Sequence, residues 1–88
     1  MWSPERFLGV VERGIFIHSE ATSKRLAVEL LAHVDEIRAD RAVCARLTAT
    51  IRPAIPVLRE EYRSRVSTRT RRELVSLWTQ ALVALQRP

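Results

Sequence analysis

From Ser19 to Arg52 this chain contains neither glycine nor proline. Over that stretch Leu26, Leu30, Val34, Ile37, Cys44, Leu47 and Ile51 recur at spacings of three, four or seven. At 3.6 residues per turn such spacings put apolar side chains on one face of a helix, whereas a half-buried strand needs a period of two. The repeat falters at residues 38–41, Arg-Ala-Asp-Arg, where the Asp40 side chain can accept an amide hydrogen bond and start a new helix. One bent helix or two shorter ones both satisfy the pattern.

The flanking segments are helical too. Ser3-Pro4-Glu5 is a good helix start: serine caps, proline is preset for the first turn, and a carboxylate suits the positive end. That first helix is expected to reach about Arg13, with Gly14 as its stop and Ile15-Phe16-Ile17-His18 as an apolar connector. Pro53 and Pro56 are expected to end the long central segment, since proline lacks the amide hydrogen that a helix interior needs. Pro56 then opens a further helix with Ile55, Leu58, Tyr62 and Val66 on its apolar face.

Residues 67–70, Ser-Thr-Arg-Thr, are poor helix interior, and Thr70 with Glu73 forms a capping box. A break there is expected, ahead of a last helix with Leu74, Trp78, Ala81 and Leu85 on its inner face. The alternative is one unbroken helix over residues 55–85, roughly 45 Å long at 1.5 Å per residue.

An 88-residue domain buries only about 60–65% of the surface its unfolded chain exposes. Its apolar content exceeds what a thin hairpin can cover. The expected fold is therefore all-α: a small bundle or helical hairpin of three to five helices, one domain over residues 1–88, completed by homodimerisation. Leu74, Trp78, Leu82 and Leu85 are the candidate residues of that dimer or partner interface.

A single cysteine, Cys44, rules out an internal disulfide and fits a reducing compartment such as the cytoplasm. The first residues lack the basic and apolar regions of a signal peptide. The most apolar run, residues 74–85, is far shorter than the roughly 20 residues that cross a bilayer.

Enzyme signatures are missing: no glycine-rich phosphate loop, no nucleophile elbow, no pair of histidines one helical turn apart. No enzymatic activity, cofactor or metal is expected. His33 and Cys44 are 11 residues apart, three turns of helix, and one helix cannot bring them to a common ion. Cys44 lies on the apolar stripe and reads as a small hydrophobe rather than a reactive thiol. Trp2, Phe7, Phe16 and Trp78 read as core or interface aromatics. Only Tyr62, between Arg59 and Arg63, resembles a base-stacking platform, and it also belongs to an apolar face.

Charge is the remaining functional signal. Residues 1–50 hold seven Lys/Arg and seven Asp/Glu, whereas residues 51–88 hold eight Arg and three Glu, so the formal net charge of +5 sits entirely in the second part. Six arginines, Arg59, Arg63, Arg65, Arg69, Arg71 and Arg72, fall within 14 residues. Guanidinium groups match phosphate by their planar fork, and several along one face can each neutralise a phosphate without reading sequence. Glu60, Glu61 and Glu73 lie within three or four residues of some of them, so part of this charge is satisfied locally. Arg59, Arg71 and Arg72 have the least obvious local partners.

The leading expectation is a small binding protein for the backbone of double-stranded nucleic acid, RNA or DNA, with little sequence specificity. The alternative is an adaptor or regulatory subunit that binds an acidic or helical protein. A solvated charged face and an anionic membrane surface are the remaining readings of the same residues.

Overall fold

The computed structural model describes residues 1–14, 20–61 and 68–87, without the side chains of residues 61 and 68. Among the described residues there are five helices and no strand: α1 (Pro4–Glu12), α2 (Glu20–Ala32), α3 (Val34–Ala39), α4 (Arg41–Glu61) and α5 (Thr68–Gln86). Connector residues Ile15, Phe16, Ile17 and His18, with Tyr62, Arg63, Arg65 and Val66, lie outside the described residues.

Three helix ends, those set by Ser3, Gly14 and Asp40, follow the sequence. Ser3 Oγ accepts the Arg6 backbone N–H at 3.2 Å, Pro4 occupies the first turn, and Gly14 takes a φ of 76° beyond the end of α1. That left-handed conformation costs glycine least. Asp40 Oδ1 accepts the Val43 N–H at 3.2 Å, so Asp40 caps α4 as its position suggested. The second interruption, at His33, separates α2 from the six-residue α3 and has no sequence signal of its own.

The two prolines do not end the central helix. α4 continues through Pro53 and Pro56 to Glu61, correcting the sequence expectation. The reason lies in which face the prolines occupy. Val43, Leu47, Ile51, Ile55 and Leu58 form an unbroken buried stripe, while Pro53, Pro56 and the residues four before them, Ala49 and Arg52, are exposed. Carbonyls deprived of an amide partner there can bond to water. An interior proline costs about 3 kcal/mol. The two together cost about 6 kcal/mol, which burying Ile51, Ile55 and Leu58 at about 1.5–3 kcal/mol each offsets.

α4 and α5 pack side by side, so the single 45 Å rod is not formed. α5 begins at Thr68, two residues before the capping box, and Thr70 falls inside its first turn. The pair is antiparallel: Cys44 Sγ donates to the Leu85 carbonyl at 3.4 Å near one end, and Arg59 lies beside Arg71 and Val75 at the other. α2 runs parallel to α5, with Lys24 beside Arg72 and Leu31 beside Val83. α1 runs parallel to α4, tied to it by Arg46 donating to Glu12 at 2.7–3.1 Å. The result is an up-down-up-down arrangement of four helices, with α3 inserted between α2 and α4.

Leu74, Trp78 and Leu85 are 1%, 0% and 5% exposed within the single chain. They face Leu26, Leu30, Leu47, Ile51 and Leu58 in one core, so they need no second copy to cover them. Leu82 is half-buried against that core. Of the aromatics, Phe7 and Trp78 are core residues. Trp2 is half-buried, stacked on the His33 ring at 4.0 Å between centroids and donating from Nε1 to Glu29 at 3.2 Å. No helix among the described residues is long and apolar enough to cross a membrane.

Candidate functional site

One buried polar contact sets the geometry of the basic end. Trp78 Nε1 donates to Ser23 Oγ at 2.9 Å, and both side chains are fully buried. An indole N–H taken from water needs an acceptor, so this pair fixes the register of α2 against α5. With Ser23 held there, the next residue, Lys24, emerges beside the first turns of α5.

Two clefts flank those turns. The first, about 510 Å³, lies between α4 and α5 and is lined by Arg59, Glu60, Arg71, Arg72, Val75 and Ser76. The second, about 730 Å³, lies between α2 and α5, with Lys24, Arg69, Arg72 and Glu73 at its charged end and Leu77 and Gln80 beyond. Arg72 and Ser76 border both and form the ridge between them. Residues from three helices thus place five cations, Lys24, Arg59, Arg69, Arg71 and Arg72, at one end of the bundle.

Few of these charges are neutralised locally. Arg69 Nε lies 3.9 Å from Glu73 Oε1, a loose pair on a side chain that is 91% exposed, and such surface pairs contribute little. Among the described residues Lys24, Arg59, Arg71 and Arg72 form no ion pair. The first turn of α5 carries no carboxylate, so its positive end adds to the arginine field instead of being offset.

The arginines singled out in the sequence separate in an informative way. Arg59, Arg71 and Arg72 share the first cleft, Arg69 lies on the second, and Arg63 and Arg65 lie outside the described residues. Lys24 was not foreseen. It is 35 residues before Arg59, and only the packing of α2 on α5 brings it to the site.

The histidine and cysteine considered as ligands sit apart. His33 Nδ1 is 2.9 Å from Glu36 Oε1 under the Trp2 ring, while Cys44 faces the last turn of α5. Among the described residues no group of three or more His, Cys, Asp or Glu side chains is placed to hold a metal ion.

No protein-family model, curated protein or solved structure matches this chain, which leaves the side chains themselves as the guide to function.

Proposed function

We propose that this chain is a small non-enzymatic binding protein that sets the basic end of its bundle against the backbone of double-stranded nucleic acid, RNA or DNA. The observation that carries this reading is the convergence of Lys24, Arg59, Arg69, Arg71 and Arg72 from three helices, four of them without an ion pair among the described residues. Duplex DNA presents a negative charge about every 1.7 Å of axis, so a compact group of guanidiniums meets several phosphates at once. Contacts of that kind position a protein without reading bases. RNA duplexes, recognised through shape, phosphates and 2′-hydroxyls, fit the same surface.

The test is duplex binding by the chain and by its Arg59→Glu/Arg71→Glu/Arg72→Glu variant. The chain is expected to bind with a Kd of about 10⁻⁴–10⁻⁶ M near physiological salt. The variant is expected to bind more than about tenfold more weakly, a loss of about 1.4 kcal/mol or more. Equal binding by the two proteins, or binding by the chain weaker than about millimolar, would remove the reading.

The second reading, an adaptor for an acidic helical protein, is favoured by Leu77, which puts an apolar wall beside Lys24 and Arg69 in the second cleft. It forecasts binding to an acidic amphipathic peptide and none to a duplex.

A further inference from the structure

We infer that the outward face of α5, with the neighbouring edge of α2, docks a second copy of this chain through an antiparallel α5–α5 contact centred on Gln80. This does not rest on the nucleic-acid reading. Four large hydrophobic side chains are exposed among the described residues, and two of them, Val28 of α2 and Val83 of α5, are each 50% exposed. Val83 borders a depression of about 420 Å³ with Leu31, Val34 and Ala84. Gln80 borders both this depression and the cleft that holds Leu77, and the two follow one another along α2 and α5.

The occupant is indicated by the order of residues along α5. Leu77 and Val83 lie three positions either side of Gln80, Ser76 and Ala84 four, and Glu73 and Arg87 seven. Those are the spacings that return to one helical face. A two-fold contact brings each residue of such a pair against the other on the partner. Apolar Leu77 then meets Val83, and acidic Glu73 meets basic Arg87. Small Ser76, whose Oγ accepts from Gln80 Nε2 at 3.2 Å along the same helix, meets small Ala84. Gln80 faces its own copy, and a carboxamide both donates and accepts.

The charges also choose the register. Moving the centre one turn earlier, to exposed Ser76, sets Glu73 against Thr79 and Arg69 against Val83, and the attraction between Glu73 and Arg87 is lost. Among the described residues Glu73 has only the loose 3.9 Å contact with Arg69, and the backbone at Arg87 is held by Arg38 Nη2 donating to its carbonyl at 2.6 Å. Arg59 and Arg71 belong to the cleft on the α4 side of α5, and the contact leaves them open.

Sedimentation equilibrium without nucleic acid, on the chain and on Glu73→Arg, Arg87→Glu and the double variant, tests the contact. The chain is expected to dimerise at or below about 0.1 mM. Each single variant, which replaces two symmetric attractions by two repulsions, is expected to weaken the dimer by about tenfold. The double variant, with both pairs restored in reverse, is expected to recover to within about threefold of the original. Unchanged helical circular dichroism establishes that the variants fold. A chain that stays monomeric above about 1 mM overturns the inference. So does a dimer indifferent to the single changes, or one that the double variant fails to rescue. Because no duplex is present, either outcome leaves the nucleic-acid reading to its own test.

Discussion

Ser23 and Trp78 show how much a single buried contact decides in this chain. An exposed serine hydroxyl gains little from a hydrogen bond, but Ser23 is fully covered and accepts the indole N–H of the largest core side chain. Changing Ser23 to alanine removes that acceptor while leaving the volume almost unchanged. Stability measured by urea denaturation is expected to fall by about 1–3 kcal/mol, the usual cost of withdrawing a partner from a buried polar group. A loss below about 0.3 kcal/mol would mean that the contact does not set the register of α2 on α5. In the sequence Trp78 was legible as a core aromatic on the Leu74–Leu85 face. Its partner was not, because one serine within an amphipathic helix looks like any other until the helices are docked.

At the scale of elements, α4 is where a local rule and a periodic pattern disagree. Pro53 and Pro56 argue for a stop, yet Leu47, Ile51, Ile55 and Leu58 keep one face across both of them. The pattern prevails because the prolines are on the water side and the stripe faces α5. Replacing Pro53 or Pro56 by alanine restores a helical amide, worth up to about 3 kcal/mol, and returns about 0.4–1 kcal/mol of freedom to the unfolded chain. The net expectation is stabilisation, read as a higher Tm for each variant. A lower Tm would show that the prolines shape a bend on which the packing depends.

Other element boundaries were open to reading. Ser3, Gly14 and Asp40 act through their own backbone and side-chain geometry, so local sequence was enough to place them. The break at His33, whose ring stacks on Trp2, has no signal in the local sequence.

At the scale of the whole molecule, the linear charge bias becomes a place. The crowding of arginine into residues 59–72 was visible in the chain, and so were Arg59, Arg71 and Arg72 as the members with the least obvious local partners. What folding adds is the turn of α5 back along α4, which sets Arg59 beside Arg71 and Arg72, and the packing of α2, which contributes Lys24. Long-range packing of that kind leaves no mark within a 14-residue window. The same folding turns Leu74, Trp78 and Leu85 inward, leaves Gln80 and Val83 exposed and keeps Leu77 half-buried beside them, so the surface inferred for a second copy lies on a different side of the helix from the one that hydrophobicity alone suggested.

The central claim, that this basic end meets backbone phosphates, is tested most directly by the salt dependence of duplex binding. If five cations each neutralise one phosphate, a plot of log Kobs against log salt for B-DNA has a slope of about −4.5 or steeper, and changing Arg59, Arg71 and Arg72 to glutamine flattens it by about 2.7. A slope near zero, or a triple variant that keeps the full slope, would contradict the account.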